Sequence, residues 1–230
     1  DTVSYLYGAS SGVSVSLALA GAQATGGSGS DTLVGIESLT GSTHDDTLNG
    51  DDNANRLDGG DGNDTLIGGA GNDTLFGSVG SDTASYADAA TGVSVSLAIG
   101  GPQATGAAGS DTLIAIENLG GSAYDDTLRG DANANRLNGA QGNDFLNGGA
   151  GNDTLDGGAG NDRLWGGTGA DSLVGGDGSD FYYVDDAGDS VSETNANPAT
   201  GGTDQVFTYL AAYTLGANIE NGRILATGAA

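Results

Sequence analysis

The chain of 230 residues contains no cysteine, no methionine and no lysine, and its positive side chains are five arginines. Without cysteine it has neither disulfide bonds nor thiolate metal ligands. The single histidine, His44, rules out a histidine-rich transition-metal cluster, and no serine has a histidine partner placed by its local sequence. The formal net charge of −26 disfavours binding to nucleic acid and to anionic lipid surfaces.

Long hydrophobic segments are also missing. No apolar run approaches transmembrane length, the first residues do not have the pattern of a signal peptide, and no stretch keeps a helical apolar period. We therefore expect no membrane insertion and no separate α/β domain. Carboxylate pairs such as Asp45-Asp46 fall in phase with the repeat described next, so they do not indicate glycoside hydrolysis, and we do not expect an enzyme.

Glycine, in contrast, is abundant, with 45 residues, and much of it recurs in a nine-residue pattern. The pattern has Gly at positions 1, 2 and 4, Asp at position 6 and a large apolar residue at position 8. It is clearest from Gly148 to Val174, which reads GGAGNDTLD-GGAGNDRLW-GGTGADSLV. By phase, the first array of these nonapeptides covers Gly41–Ser85 and the second covers Gly121–Tyr183.

Each position of the nonapeptide has a physical role. The glycines allow a tight turn whose carbonyl groups face a cation, and Asp at position 6 supplies the hard anionic oxygen that calcium prefers. The last residues, as in Thr65-Leu66-Ile67, suit a short strand with one side chain buried. Two nonapeptides form one coil, so the aspartates of every second nonapeptide stack with an ion between them. The alternative, a glycine-rich linker, does not explain the fixed phase of Asp and Leu.

The arrays therefore predict binding of several calcium ions, coupled to folding. The residues at position 6 are Asp46, Asn55, Asp64, Asp73 and Asp82, then Asp126, Asn135, Asp144, Asp153, Asp162, Asp171 and Asp180. Two degenerate nonapeptides, Gly50–Asp58 and Gly130–Asn138, have Asn at position 6 and lack Gly at position 4. We expect weak or vacant sites there, with the coil retained through Leu57 and Leu137.

A longer repeat encloses the arrays, since the segment Gly29–Leu33 recurs at Gly109–Leu113 and the segment Asp45–Leu48 recurs at Asp125–Leu128. We divide the chain into a spacer (1–40), array 1 (41–85), a second spacer (86–120), array 2 (121–183) and a β-rich tail (184–230). In the second spacer Val93, Val95, Leu97 and Ile99 alternate with small residues, which predicts a strand with these four side chains on one face. We interpret the chain as a piece of a longer, repetitive polypeptide.

The aromatic residues concentrate towards the C-terminal end. Residues 181–184, 205–210 and 213–215 are aromatic and β-branched, and we expect them to cap the open end of the coil. A carbohydrate-binding aromatic face is the alternative. Trp165 at position 9 is expected to point outward as a lone surface aromatic, rather than in a patch with Phe76 and Tyr183.

These nonapeptides resemble those of the RTX (repeats-in-toxin) calcium-binding β-roll family. The resemblance implies an all-β fold, a right-handed parallel β-helix loaded with calcium, with strand-rich spacers and a C-terminal β cap. It also implies how each calcium ion is bound between two turns. One turn supplies the carbonyls at positions 2 and 4 and its Asp. The turn one full coil further on supplies the carbonyls at positions 1 and 3 and its own Asp. One such site would use Gly149, Gly151 and Asp153 with Gly166, Thr168 and Asp171. The next would use Gly158, Gly160 and Asp162 with Gly175, Asp177 and Asp180.

Carried along the arrays, the family's ligand pattern falls on further positions. Besides the position-6 aspartates, the ligands implied are Gly59, Gly60, Asp61, Gly62, Gly68, Ala70, Gly139, Gln141, Gly142, Gly157 and Ala159, where Gly, Ala, Thr and Gln act through backbone carbonyls. The departures from the pattern at Asn55, Ser78, Val79, Asn135 and Ala140 put their local sites in doubt.

Three functions fit this interpretation. The first is a non-enzymatic, calcium-folded structural segment of a secreted or cell-surface bacterial protein, acting as spacer, scaffold or assembly unit. The second is a calcium-dependent folding and secretion module attached to a secreted enzyme or toxin, since the family usually leaves the cell by type I secretion. The third is an adhesin or polysaccharide-binding module. The partners expected are calcium ions, the rest of a longer polypeptide, and further copies of the chain or a cell-surface polysaccharide.

Overall fold

A computed structural model describes residues 1–193, 195 and 200–225 of the chain. These residues form 24 strands and no helix, so none of them lies in a helix long and apolar enough to span a membrane. The chain divides into two compact units between Gly120 and Gly121. The finer division into spacers, arrays and tail stays a prediction.

The first unit contains fourteen strands, most of them only three residues long. They are β1 (Thr2–Ser4), β2 (Ser14–Ser16), β3 (Gln23–Gly26), β4 (Gly29–Asp31), β5 (Ser38–Thr40), β6 (Thr47–Asn49), β7 (Arg56–Asp61), β8 (Thr65–Ile67), β9 (Thr74–Val79), β10 (Thr83–Ser85), β11 (Ser94–Ser96), β12 (Gln103–Gly106), β13 (Gly109–Ile114) and β14 (Asn118–Gly120).

Strands of the first unit alternate between two parallel sheets. One has the order β1-β5-β7-β9-β13, and the other has the order β2-β6-β8-β10-β14. Within the array the register advances by one coil of two nonapeptides, so that Leu48 lies opposite Leu66 and Leu57 opposite Leu75. This parallel register places the same nonapeptide position of successive coils side by side, as the period predicts.

The second unit contains ten strands. They are β15 (Thr127–Arg129), β16 (Arg136–Asn138), β17 (Phe145–Ala150), β18 (Thr154–Ala159), β19 (Arg163–Thr168), β20 (Ser172–Asp177), β21 (Phe181–Val184), β22 (Ser190–Ser192), β23 (Gln205–Thr208) and β24 (Asn221–Ile224). They form two parallel sheets in the orders β15-β17-β19-β21-β23-β24 and β16-β18-β20-β22. The tail strands β22 to β24 thus extend the coils beyond the array.

The core of each unit is a column of side chains from position 8. These side chains are at most 1% exposed, because every coil places its apolar residue between the two sheets: Leu48, Leu57, Leu66, Leu75, Ala84, Leu128, Leu137, Leu146, Leu155, Leu164, Leu173 and Tyr182. Leu57 and Leu137 keep their place although their nonapeptides are degenerate. The all-β parallel β-roll predicted from the period is confirmed for the described residues.

The spacers continue the sheets, but more residues separate one coil from the next than in the arrays. Each adds an antiparallel hairpin, β3 with β4 and β12 with β13. The predicted alternation in the second spacer holds for Val93 and Val95, which are buried, but is wrong for Ile99, which is 45% exposed. The strand β11 ends at Ser96, so the chain turns away from the core before it reaches Ile99.

The interpretation of Trp165 as a lone surface aromatic is wrong. Its ring centroid lies 5.9 Å from that of Tyr183, which stacks on Phe207 at 5.4 Å, and Phe207 stacks on Phe181 at 6.0 Å. The parallel register places these residues on adjacent strands of one sheet face, so the rings form a row. Phe76 contacts Arg56 instead, whose guanidinium lies 4.0 Å from the ring centroid.

Candidate metal centre

The aspartates at position 6 are linked to one another from each coil to the next. The backbone N–H of Asp144 donates to Oδ1 of Asp162 at 2.8 Å, and that of Asp162 donates to Oδ1 of Asp180 at 2.7 Å. In the first unit the N–H of Asp46 donates to Oδ1 of Asp64 at 2.8 Å. Each such bond fixes one carboxylate oxygen against the preceding coil and thereby sets the direction of the other oxygen.

That other oxygen, Oδ2, is buried and has no hydrogen-bond partner in eight of these aspartates. The eight are Asp64, Asp73, Asp82, Asp144, Asp153, Asp162, Asp171 and Asp180. Leaving a buried carboxylate oxygen without a partner is costly, and here the cost would recur at every regular coil. The repetition therefore indicates a place for a positively charged ligand.

Backbone carbonyls lie beside this oxygen. A Cβ added to Gly148 would meet both Oδ2 of Asp153 and, at 2.6 Å, the carbonyl oxygen of Gly166. The two oxygens therefore face one space, which stays open because position 1 has no side chain. The same position-1 carbonyl lies beside the position-6 side chain of the preceding coil for Gly59, Gly68, Gly139 and Gly157.

Carbonyls of positions 2 and 4 also face the following coil. The carbonyl oxygens of Gly149 and Gly151 occupy the places that a Cβ atom on Gly167 and on Gly169 would need. The carbonyls of Gly62, Gly142, Gly158 and Gly160 are placed in the same way. The position-1 carbonyls thus lie beside position-6 side chains, whereas the position-2 and position-4 carbonyls lie against the turn of the following coil.

The predicted position-3 carbonyls have a further role in the backbone ladder. The carbonyls of Ala159, Thr168 and Asp177 each accept the N–H of a position-4 glycine from the preceding coil, at 2.7–2.9 Å. Gln141 bridges to Ala159, and Gly60 and Asp61 lie opposite Ser78 and Val79 in register. Ala70 is half-buried at position 3. The carbonyls of Ala159, Thr168 and Asp177 are thus held by sheet hydrogen bonds, with a second lone pair left on each oxygen.

Position 2 separates the turns into two kinds. In the eight turns with an unpartnered Oδ2, the residue at position 2 has a positive φ: Gly60, Gly69, Ser78, Ala140, Gly149, Gly158, Gly167 and Gly176. In the four other turns, with Ser42, Asp51, Ser122 and Asp131 at position 2, the φ is not positive. There the backbone N–H of position 2 donates to the position-6 side chain at 2.5–2.8 Å. We name the first kind open turns and the second kind closed turns.

Asp46 and Asp126, both predicted ligands, lie in closed turns. Besides the backbone bond at Oδ2, their Oδ1 atoms accept the hydroxyl of Ser42 and of Ser122, each at 2.9 Å. Both carboxylates are thus satisfied by the protein itself. The degenerate turns with Asn55 and Asn135 are closed as well.

Ser78 and Ala140, in contrast, keep their turns open although they replace glycine. Their φ angles are 78° and 75°, a region that L-residues rarely adopt. Oδ2 of Asp82 and of Asp144 remains unpartnered in these turns. The departures at Ser78 and Ala140 therefore do not change the local arrangement of oxygens around Asp82 and Asp144.

Burial of these carboxyl groups changes their acidity. Desolvation by burial, followed by repulsion from neighbouring carboxylates, raises the pKa of Asp64, Asp144 and Asp162 to about 7. The pKa of Asp180 is also raised to about 7 and that of Asp171 to about 6, again mainly by burial. A cation between the coils would act in the opposite direction, since an opposite charge favours the carboxylate form.

Four acidic residues outside the predicted set each accept the backbone N–H of a position-6 aspartate. Asp189 accepts the N–H of Asp171, one coil earlier, at 3.1 Å, so the period alone could have identified it. The others follow longer steps of 38, 35 and 24 residues, which break the period: Asp111, Glu117 and Asp204. Nothing in the nine-residue phase indicates these three.

The asparagines at position 5 form a second ladder that sequence reasoning also missed. The N–H of Asn161 donates to the side-chain oxygen of Asn143 at 2.9 Å, and the N–H of Ser179 donates to that of Asn161 at 2.8 Å. The recurring Asn-Asp pair in the nonapeptides was the available signal. These exposed bonds hold the turn backbone in register next to the buried aspartates.

Stacked coils with carboxylates and carbonyl oxygens between them define a cation-binding β-roll. The family model of the RTX calcium-binding nonapeptide repeat (4 copies) matches residues 34–66, 49–84, 120–155, 147–182 and 156–191. Together these matches cover more than half of the chain, which therefore belongs to the family of RTX calcium-binding repeat proteins. The family is a structural calcium-binding repeat and is not catalytic. A comparison with curated proteins found no match.

Proposed function

We propose that the chain is a non-enzymatic segment of a secreted or cell-surface bacterial protein, that it folds on binding calcium, and that it acts as a spacer, scaffold or assembly unit. The observation that carries this proposal is the set of eight buried Oδ2 atoms without partners. Extracellular calcium modules have dissociation constants of about 10⁻⁴–10⁻³ M, which suits an extracellular location.

Each ion would lie between two coils of one stack. Carboxylates and carbonyls supply only hard oxygen ligands, and calcium accepts six to eight of these in flexible geometry. One predicted site would use the carbonyls of Gly149, Gly151, Gly166 and Thr168 with the carboxylates of Asp153 and Asp171. The equivalent set one nonapeptide further on consists of Gly158, Gly160, Asp162, Gly175, Asp177 and Asp180.

Charge and core size both make the fold dependent on these ions. The chain has a net charge of −26, and self-repulsion of this size opposes a compact state. Each nonapeptide buries one large side chain, while its glycines lose more conformational freedom on folding than other residues do. Calcium neutralises the carboxylates between the coils, so the free energy of binding contributes directly to folding.

The hydrodynamic radius of the chain tests this proposal. We expect a large radius in chelator and a marked contraction on addition of millimolar calcium, measured by size-exclusion chromatography with light scattering. Sodium chloride at the same ionic strength is the control, because it screens charge without occupying the sites. An equal contraction in sodium chloride would show that screening alone compacts the chain.

A second candidate function is polysaccharide binding, and one observation favours it. The row formed by Trp165, Tyr183, Phe207 and Phe181 lies on the outer face of a sheet, and Trp165 is 40% exposed. An exposed row of aromatic rings offers apolar contacts to sugar rings. Co-sedimentation with insoluble chitin and cellulose in calcium buffer, compared with Trp165→Ala, tests it, and equal sedimentation of both proteins would argue against this function.

A further inference from the structure

The last turn of the second array has no regular nonapeptide beyond it. In earlier coils of this array the carbonyl of a position-1 glycine of the next coil lies beside Oδ2 of the aspartate, as Gly157 does for Asp144 and Gly166 for Asp153. One coil after Gly175 the chain has Glu193 instead. The next carboxylate of the ladder is Asp204, which accepts the N–H of Asp180 at 2.9 Å after a step of 24 residues.

Three oxygens without hydrogen-bond partners meet beside Gly175. They are Oδ2 of Asp180, the hydroxyl of Tyr182 and Oε1 of Glu193, and a Cβ added to Gly175 would meet all three. Asp180 and Tyr182 are fully buried, and Glu193 is only 8% exposed. The other oxygen of Glu193 accepts the N–H of Gly176 at 3.4 Å, which holds the side chain in this direction.

A third carboxylate completes the cluster. One oxygen each from Asp180, Glu193 and Asp204 lie within 4.8 Å of one another, and Asp204 is 1% exposed. Three buried carboxylates at this separation repel each other strongly unless a proton or a cation lies among them. Two orphaned carboxylate oxygens and a phenolic oxygen directed into one space fit a hard cation better than a single shared proton, which satisfies at most two oxygens.

We propose that Asp180, Glu193 and Asp204, with the hydroxyl of Tyr182, bind one calcium ion at the end of the second array. This site rests on the proposed calcium-binding function but lies outside the nonapeptide pattern, because a glutamate side chain replaces the position-1 carbonyl. It contains three carboxylates, whereas the sites proposed between regular coils contain two. The ion therefore fastens the tail to the last regular coil, since Glu193 follows β22 and Asp204 precedes β23.

Counting bound calcium by isothermal titration calorimetry tests the site. The variant Glu193→Gln keeps the shape of the side chain but removes its charge, and we expect it to bind one calcium ion fewer per chain than the wild type. The control is Glu220→Gln: Glu220 is exposed, accepts the N–H of Asp204 at 2.9 Å, and lies outside the cluster. It should bind the same number of ions as the wild type.

The outcomes separate this inference from the proposed function. If the wild type binds no calcium, the proposed function itself is wrong. If the wild type binds calcium and Glu193→Gln binds the same number of ions with the same affinity, only the additional site is wrong. If Glu193→Gln does not fold in calcium, the variant Tyr182→Phe tests the site instead. It keeps the buried ring and removes only the hydroxyl, and we expect one ion to bind several-fold more weakly. Unchanged affinity of every ion in Tyr182→Phe would then overturn the site.

Discussion

Oδ1 of Asp162 accepts the backbone N–H of Asp144 at 2.8 Å, while its Oδ2 is buried without a partner. The same side chain therefore ties two coils together and presents a charge to the space between them. Because its own N–H donates to Asp180, Asp162 is connected to the coil on either side. Its position makes it a sensitive test of the ladder.

Asp162→Ala should raise the calcium concentration at the folding midpoint by several-fold. The substitution removes the link to the preceding coil and an oxygen proposed to bind calcium, and in a one-dimensional stack neighbouring coils lose support as well. The control is Asp131→Ala, since Asp131 lies at position 2 of a closed turn and its carboxylate accepts local bonds from Asn133. Calcium titrations followed by Trp165 emission compare the two, and matching midpoints would mean that the nonapeptide phase is wrong.

The open and closed turns predict opposite effects of glycine at position 2. Ala140→Gly should increase the free energy of unfolding in calcium by about 0.5–1 kcal/mol, because it relieves the positive φ of 75° at some cost in unfolded-chain entropy. Ser122→Gly should decrease it by about 1–2 kcal/mol, because it loses the 2.9 Å hydrogen bond to Asp126 and adds backbone freedom. Urea unfolding in excess calcium measures both. Changes of the same sign would contradict the distinction between the turns.

Magnesium should replace calcium poorly. The proposed ligands are backbone carbonyls and carboxylates fixed by the sheet ladder, and magnesium requires a tighter octahedral shell and keeps its waters. Folding curves in the two chlorides, at equal concentrations, provide the measurement. If both ions fold the chain equally well, neutralisation of charge is sufficient and the arrangement of oxygens is unimportant.

In the absence of calcium, acidification should favour the folded chain. The pKa of Asp64, Asp144 and Asp162 is about 7 in the folded state against 3.8 for an unperturbed carboxyl, so the folded state binds more protons. The stabilisation from these groups is complete below pH 3.8 and is lost as the pH rises through about 7. Circular dichroism in chelator should show more β-structure at about pH 5 than at about pH 8. Identical spectra would show that these carboxyls are not buried without calcium.

The period of the sequence predicted the fold, and the structure places some of the predicted position-6 carboxylates beside position-1 carbonyls, as for Asp153 and Gly166. Fixed spacing of Asp64 and Leu66 relative to their glycines determines both the register of the coil and the face of each side chain, so the core column followed directly. A patch of Trp165 with Phe76 and Tyr183 was the less favoured alternative, whereas the parallel register places Trp165 directly beside Tyr183.

Backbone conformation at position 2 could not be predicted in the same way. Ser42 and Ser78 have the same side chain at the same position, yet only Ser78 adopts a positive φ. Glu193 and Asp204 were also missed. Inserted residues change the number of residues per coil there, while the hydrogen-bond ladder between coils continues. A sequence period identifies equivalent residues only where every coil has the same number of residues.

Far-UV circular dichroism of the unmodified chain, in excess chelator and then in millimolar calcium, tests the central claim most directly. If calcium between the coils supplies the free energy of folding, the spectrum in chelator at neutral pH is that of a largely disordered chain, and calcium converts it reversibly to a β spectrum. A β spectrum that persists unchanged in excess chelator would contradict the claim.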